Sequence, residues 1–405
     1  MGLKWTGRLW RHGLALAVVA LWGSTVARAA YAQDWSLSSS ITQRVTYNTN
    51  LLLNPDHKIN TFGSITIPQL TLQRVGPTSQ ISLDGKFKFA EYLNHSGLNS
   101  DGQNLGLQAS KNLSERSSVG FHGEFNRDTT LTSESDIDDR FLDRAIRYIY
   151  WNVSPSYTYL LTPVDQVSFS GVYQEKNYDS AQKTDFQYYG GFLDYAHSLS
   201  EISQITGSLS YFRYVPDVVT DLTTDIYGGL IGYKYTPSER LSVSGGVGLN
   251  YNVTHQDDAG GERDVSTDVG YRLKFDVDYD LGDRTKLNFA LSHDTEPSGD
   301  GRQTTRTRGT LGLDYKVGEL TTLSMGAVYS DNEDYLGEGS GTSDNLSRYY
   351  ALKPAVTWDI TEDLSLAATY QFRYKRFESR GGSAVDNGVF LSLRYALPEP
   401  HWSGF

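Results

Sequence analysis

Most of the chain alternates between apolar and polar residues with a period of two. In residues 269–281, VGYRLKFDVDYDL, the odd positions are Val, Tyr, Leu, Phe, Val, Tyr and Leu, whereas every even position after Gly270 is charged. Successive side chains of a β-strand point to opposite faces, so this pattern predicts a strand with one apolar and one polar face. The pattern recurs within 241–252, 308–316 and 364–375, and no segment has a sustained helical period. The sequence therefore predicts an all-β protein.

Eight similar segments punctuate these strands. Each ends one strand, turns on Ser, Thr, Pro or Gly, in most cases beside an acidic residue, and begins the next strand. They lie at 74–83, 112–120, 161–171, 198–207, 235–245, 280–289, 317–325 and 359–367. Longer polar stretches separate them, among them 126–140, 255–264, 293–301 and 330–345. Tight turns that alternate with long loops predict eight strand pairs and one strand at each end, about 18 strands; if an end pair is misread, 16 remain.

The predicted strands have ten or more residues, which suits a bilayer better than a soluble sheet, because a tilted strand crosses hydrocarbon with about 9–11 residues. Backbone groups in hydrocarbon need partners within the protein, so a spanning sheet must close on itself. Apolar side chains then face lipid and charged ones face a hydrated interior. A soluble β-sandwich also alternates, but one of this length would need several domains and linkers. We therefore predict a transmembrane antiparallel β-barrel with short periplasmic turns and long outer loops.

The N-terminal segment differs from the rest of the chain. Lys4, Arg8 and Arg11 precede an apolar run at 13–27, and the small-residue sites Ala-Arg-Ala and Ala-Tyr-Ala follow, ending at residues 29 and 32. This arrangement is typical of a secretory signal peptide. We predict a signal peptide at 1–32 and one barrel domain at 33–405; cleavage after Ala29 fits nearly as well.

The amino-acid composition excludes several kinds of site and partner. The 405 residues include no cysteine and carry a formal net charge of -12. Disulfides and Cys-ligated metals are thereby excluded, and the acidic balance argues against nucleic acid as a partner. His122 and Glu124 share a strand face and could form an acid–base pair, but no nucleophile motif accompanies them. The acidic loops at 131–143 and 331–344 lack the ligand spacing of a calcium loop. We expect no catalysis, no cofactor and no metal.

Charged residues on the polar faces of the strands are predicted to line the pore. They are Lys86, Lys88, Glu124, Arg272, Lys274, Asp276, Asp278, Arg306, Arg308, Asp314, Arg373 and Lys375. A constriction with a transverse field could order solutes or guide a charged polymer. The alternative is that these charges only solvate a wet wall.

Aromatic residues fall into two predicted groups. Residues near strand ends should form the girdles at the membrane interfaces; they are Tyr148, Tyr150, Trp151, Tyr157, Tyr159, Tyr233, Tyr235 and Trp358. Inward aromatics could stack on sugar rings, or could pack against an inward-folded loop; they are Tyr188, Phe192, Phe212 and Phe390.

The N-terminal third also carries a resemblance. TYNTNLLL at 46–53, followed by the proline-containing strand and its partner at 68–93, resembles the putative β-barrel porin-2 family. Asn48 and Asn50 stand where family members often have Asp-Asn. The resemblance implies an 18-stranded outer-membrane barrel associated with exopolysaccharide or capsule assembly.

The expected function is a channel that carries an exopolysaccharide or another envelope polymer from the periplasm to the surface of a Gram-negative cell. A general diffusion porin is the second expectation, and a barrel-bound hydrolase or structural surface protein is the third. The expected partners are outer-membrane lipid, lipopolysaccharide, the barrel-insertion machinery and periplasmic polysaccharide-export proteins. The sequence leaves the oligomeric state open.

Overall fold

The computed structural model describes residues 35–131, 145–218, 222–257, 263–299, 301, 303–334, 347–378 and 381–398. The predicted signal peptide at 1–32 and most of the two acidic loops lie outside these residues. Within them the regular structure consists of eighteen strands and one short 3-10 helix at Ser96–Leu98. The strands are β1 (Trp35–Asn48), β2 (Thr61–Val75), β3 (Ser79–Tyr92), β4 (Ser100–Asn112), β5 (Ser117–Thr129), β6 (Arg147–Leu160), β7 (Asp165–Tyr178), β8 (Phe186–Ser200), β9 (Ser203–Pro216), β10 (Leu222–Ser238), β11 (Leu241–Asp257), β12 (Arg263–Leu281), β13 (Thr285–Pro297), β14 (Gln303–Lys316), β15 (Thr321–Asp334), β16 (Ser347–Asp359), β17 (Leu364–Phe377) and β18 (Ser383–Leu397).

The strands form one closed antiparallel barrel. Each strand pairs with its neighbours in the chain, and β1 also pairs with β18. This closing ladder runs from Ser39 opposite Leu397 to Asn48 opposite Gly388. The predicted fold class and the count of 18 strands are therefore confirmed. None of the helical structure in the described ranges is long and apolar enough to cross a membrane.

The turns fall where the repeated segments predicted them. The tightest connections leave only residues 201–202 and 239–240 outside the strands, whereas the connection at the opposite end between β5 and β6 runs from 130 to 146. Two predicted loops are wrong in extent, because 255–257, 263–264 and 293–297 belong to strands, whereas 258–262 lie outside the described residues. The hydrogen bonds of an antiparallel ladder join backbone groups. The polar ends of these strands therefore remain paired although they carry few apolar side chains.

The outer face carries the apolar half of the alternation. Its most exposed large side chains include Ile231, Leu209 and Val247, with 70%, 64% and 64% of their surface accessible. Six of the eight predicted girdle aromatics also lie on this face; they are Trp151, Tyr157, Tyr159, Tyr233, Tyr235 and Trp358.

Tyr148 and Tyr150 were wrongly predicted to belong to the girdle. Tyr148 is buried and both tyrosines line an interior cavity. Asn152 and the polar residues that follow it on β6 share the parity of these tyrosines and mark their face as inward, but the girdle prediction rested on aromatic character near a strand end. Their neighbours Ile149 and Trp151 occupy the exposed outer face instead.

Eleven of the sixteen buried hydrophobic side chains of the described residues form two clusters inside the barrel, at the long-loop end. The first, the loop cluster, consists of Leu51, Ile65, Ile67, Ala90, Tyr92 and Leu98. The second, the aromatic cluster, consists of Ile146, Tyr148, Tyr178, Phe186 and Tyr214. An 18-stranded barrel is too wide for wall side chains alone to fill. Inward-folded loops supply the missing packing at this end.

The orientation of the wall can be tested with two adjacent residues near the middle of β10. Ile231 faces outward, whereas Leu230 shares the inward face with Ile226. We expect Ile231→Arg to lower the unfolding free energy in lipid by about 2–4 kcal/mol, because a charge near the bilayer midplane loses its hydration. Leu230→Arg should cost less because water reaches the lumen. Chemical denaturation in lipid vesicles measures both, and equal losses would contradict the assigned faces.

Candidate functional site

The long-loop half of the lumen contains a cavity of approximately 530 Å³. Side chains from β5 to β10 form one wall of this lumen cavity, and side chains from β11 to β14 form the other. Its principal lining residues are Glu124, Asn126, Tyr148, Tyr150, Gln174, Lys176, Tyr188, Phe192, Ser210, Phe212, Asn250, Arg272, Asp294, Glu296, Arg306 and Arg308. The cavity therefore joins a largely aromatic wall to a strongly polar one.

Three rings on β8 and β9 form the aromatic patch, which consists of Tyr188, Phe192 and Phe212. The Tyr188 and Phe212 rings stack with centroids 4.8 Å apart and planes 5° apart. Phe192 meets Phe212 edge to face at 4.7 Å. A Cβ at Gly190 would lie 2.7 Å from the Phe212 ring and 2.0 Å from the Tyr211 carbonyl oxygen, so glycine is required there. The missing side chain lets Phe212 lie between the two β8 rings.

The aromatic wall continues onto β6 and β7. The Lys176 Nζ lies 4.6 Å from the centroid of the Tyr148 ring and 5.2 Å from that of Tyr178. An ammonium over aromatic faces is stabilised by the ring quadrupoles, which accounts for a lysine that is almost fully buried. The charge of Lys176 is thus held within the wall.

The opposite wall contains two paired arginines. Arg272 donates two hydrogen bonds to Asp294 Oδ2, from Nε at 3.0 Å and from Nη2 at 2.7 Å. Arg306 donates to Glu296 at 2.9 Å and to the Asn332 side chain at 2.8 Å. These carboxylates neutralise the two guanidinium groups and hold them against the wall.

Arg308 differs from Arg272 and Arg306. Its side chain lines the same cavity, yet no carboxylate of the described residues lies within ion-pair distance of it. Its cross-strand neighbours are Ser292 on β13 and Ser330 on β15. By contrast, Arg306 lies between Asp294 and Asn332. Register alone therefore leaves Arg308 as an uncompensated cation of the cavity wall.

The structure brings together seven of the sequence-predicted site residues. The lumen cavity gathers Glu124, Arg272, Arg306, Arg308, Tyr188, Phe192 and Phe212. The other predicted lining residues lie elsewhere on the inward face; Lys86, Lys274, Asp276, Asp278 and Asp314 occupy the middle or the turn-side half of their strands. Lys88 forms an ion pair with Asp128. Phe390 lies apart from the patch, beside the Arg44 guanidinium.

Arg373 belongs to a different arrangement, the loop latch. Asp386 has no exposed surface and accepts hydrogen bonds from Arg373 Nε at 3.0 Å and Nη2 at 2.7 Å. It also accepts from Asn48 Nδ2 at 2.9 Å and from the Asn50 backbone N–H at 2.8 Å. Arg373 Nη2 donates in addition to the Leu51 carbonyl oxygen at 3.0 Å. The latch ties the β1–β2 loop to the barrel wall.

Asn50, which lies in the segment that resembles the porin-2 family, shapes this loop together with Asn54. Asn50 Nδ2 donates to the Asn54 carbonyl oxygen at 2.8 Å, and the Asn54 backbone N–H donates back to Asn50 Oδ1 at 3.1 Å. The reciprocal pair folds the loop so that Leu51 reaches the loop cluster. Lys375 is also buried at this side of the barrel, with its Nζ 5.3 Å from the Phe377 ring centroid. Arg306 and Arg308 line the lumen cavity, whereas Arg373 and Lys375 are not among its lining residues.

A second loop enters the lumen from β13 and β14. The Tyr214 hydroxyl donates to the Ser298 carbonyl oxygen at 2.7 Å, and the Thr184 backbone N–H donates to that of Gly299 at 2.7 Å. A Cβ at Gly299 would lie 2.4 Å from the Tyr178 hydroxyl, so only glycine permits this approach. The loop therefore covers the end of the lumen cavity.

Sequence reasoning missed the acidic partners Asp294, Glu296 and Asp386. Each lies on a polar strand face and is visible as such in the alternation. Their pairing with particular arginines follows from strand register, which the alternation does not specify. The described part of the chain contains no group of three or more His, Asp or Glu side chains arranged to hold a metal ion.

Sequence comparisons match part of the chain to a family of unknown function. Residues 165–349, less than half of the chain, match the family described as "Protein of unknown function, DUF481". No curated protein matches the chain in sequence. The membership of the porin-2 family stays a prediction.

Solved structures resemble the barrel at low sequence identity. The unliganded ferric citrate transporter FecA superposes with a TM-score of 0.52 and 13% identity, covering 90% of this chain and 64% of that chain. The ferric-catecholate import receptor Fiu from E. coli K12 gives 0.47 and 8%, covering 90% and 82%. The outer membrane protein opdK from Pseudomonas aeruginosa gives 0.43 and 12%, covering 89% and 98%. This chain spans 64% of the FecA chain, and it has the barrel fold of Gram-negative outer-membrane proteins.

The loop latch can be tested by removing its carboxylate. Asp386→Asn leaves Arg373 buried without a counter-ion, and breaking a buried pair in this way costs about 3–5 kcal/mol. We expect the β1–β2 loop to detach, so that trypsin cleaves after the exposed Lys58 much faster than in the parent protein. Asp278→Asn, an equal change at a more exposed lumen carboxylate, should leave the cleavage rate unaltered. Equal protection in all three proteins would contradict the latch.

Proposed function

We propose that this protein is an outer-membrane channel that passes an exopolysaccharide, or a related envelope polymer, from the periplasm to the cell surface. The observation that carries the proposal is the lumen cavity, in which the aromatic patch faces a wall of arginines, carboxylates and amides. A barrel whose interior only solvated its charges would not need stacked rings on the inward face.

Carbohydrates fit this combination of walls. A sugar ring presents C–H groups that pack on an aromatic face, and its hydroxyls donate to carboxylates and accept from guanidinium groups. Tyr188, which is stacked on the buried Phe212, supplies the apolar surface. Asp294 and Arg272 supply an acceptor and a donor within the same cavity. Binding sites that combine aromatic side chains with a few polar groups are the usual form for small organic ligands.

The mechanism is passage without chemistry. The turn-side half of the lumen, with Lys274 at 69% side-chain exposure, is hydrated and opens towards the periplasm in the proposed orientation. The aromatic patch then contacts successive sugar units as the polymer moves outward. Synthesis behind the polymer supplies the driving force. Periplasmic polysaccharide-export proteins are the proposed partners on that side, and lipopolysaccharide surrounds the barrel on the other.

A general diffusion porin is the second candidate. The observation in its favour is the turn-side wall, where exposed cations and carboxylates such as Lys274 and Asp278 alternate without aromatic side chains. Such a wall would pass small hydrated solutes of either charge. The two functions differ in whether sugars interact with the loop-side cavity.

Planar bilayers distinguish them through adjacent tyrosines on β8. Tyr188 faces the cavity, whereas Tyr189 lies on the outer face. We expect maltohexaose to interrupt the single-channel current of the parent protein, and Tyr188→Ala to shorten these blocks about three- to tenfold because a stacking contact of roughly 0.5–1.5 kcal/mol is lost. Maltohexaose should block the Tyr189→Ala channel for as long as it blocks the parent channel. Equal behaviour of the two variants would favour the porin.

A deletion strain tests the direction of transport. We expect a cell that lacks the protein to synthesise its surface polymer but retain it in the periplasm, because the outer membrane offers no other route to a large polar molecule. Fractionation followed by carbohydrate analysis measures the retained amount, and the parent gene supplied on a plasmid should restore secretion. Normal secretion by the deletion strain would contradict the proposal.

A further inference from the structure

We infer that the lumen cavity is a binding site for an acidic sugar unit, in which Arg308 contacts the carboxylate while the aromatic patch holds the ring. The inference rests on the proposed channel function and names its substrate class. It follows from the charges of the cavity and from the position of Arg308.

The cavity is cationic in a protein that is acidic as a whole. The formal net charge of the chain is -12. Among the described residues, the cavity is nevertheless lined by four cationic side chains and three carboxylates; they are Lys176, Arg272, Arg306 and Arg308 against Glu124, Asp294 and Glu296. An excess of positive charge on this wall attracts an anion, and the partly enclosed surroundings screen that attraction less than bulk water does.

The positive charge that remains available lies at Arg308. Arg272 and Arg306 each donate to a carboxylate, and Lys176 lies against two tyrosine rings. Glu124 accepts a hydrogen bond from Asn104 Nδ2 at 3.1 Å. Arg308, flanked by Ser292 and Ser330, has no such partner among the described residues. A guanidinium group presents a planar pair of donors that matches a carboxylate.

Arg308 and the aromatic patch line one cavity from its two walls. A ligand that uses both must therefore carry an anionic group and a ring with apolar faces. A sugar ring bearing a carboxylate combines the two within one unit. A simple inorganic anion would use the arginine alone, and a neutral sugar would use the rings alone.

The test measures binding to the purified full-length barrel in detergent by titration calorimetry. The probes are a six-unit oligogalacturonate and maltohexaose, two α-1,4-linked hexamers that differ in the C6 carboxylates and in the configuration at C4. We expect the parent protein to bind the oligogalacturonate at least about tenfold more tightly, because a charge-assisted hydrogen-bond pair contributes that much or more. The preference should fall as salt rises from 0.05 to 0.5 M, as expected for a screened charge.

Two matched variants locate the preference. Arg308→Gln should reduce oligogalacturonate affinity about tenfold and leave maltohexaose affinity unchanged. Arg394→Gln removes the same charge from an inward arginine at the turn end of β18 and should preserve the preference. A preference that survives Arg308→Gln, or that disappears equally in Arg394→Gln, would overturn the assignment to Arg308.

The outcomes separate this inference from the channel proposal. Equal affinity of the parent for the two probes would overturn the acidic-sugar site and leave a neutral-sugar channel standing. Absence of binding by either probe would also overturn the site. If, in addition, neither probe interrupted the bilayer current, the proposed sugar function would fail with it.

Discussion

The backbone ladder between β1 and β18 is the constraint on which the rest of the structure depends. Without it the sheet would have two long edges with unpaired N–H and C=O groups, which hydrocarbon does not tolerate. Closure fixes an inside and an outside for every strand. Successive side chains of a strand then face lipid and lumen in turn. The period-two pattern of the sequence follows from this alternation.

Closure with eighteen strands creates a second problem, because the wall side chains cannot fill the interior. At the long-loop end, two loops fold inward and fill part of the interior. The β1–β2 loop packs on the loop cluster and is tied down by Asp386, and the β13–β14 loop reaches Tyr214. A buried carboxylate is costly alone, but Asp386 receives both an arginine and several neutral donors, which offset the lost hydration.

The sequence predicted the strands, turns and faces well because each depends on local chemistry. Alternation at 269–281 places Arg272 inward whatever the neighbouring strands do. It could not predict which arginine stays uncompensated, because Arg306 and Arg308 have the same parity and differ only in their cross-strand neighbours. Tyr148 was misplaced because the prediction followed its aromatic character near a strand end and not its parity with the polar Asn152. Strand register and the folding of loops into the lumen depend on contacts between residues that are far apart in the sequence.

The weakness of the individual contacts in the cavity is consistent with transport. A channel must bind its cargo well enough to admit it and loosely enough to release it. Tyr188 and Phe192 line the cavity without enclosing a ligand, whereas Phe212 is buried between them. A stacking contact contributes only about 0.5–1.5 kcal/mol. Arg308 is held by no carboxylate of the described chain, so an anionic group that reaches it displaces no ion pair. A repeating polymer can therefore exchange one unit for the next at nearly constant free energy, whereas a pocket that buried each unit fully would retain it.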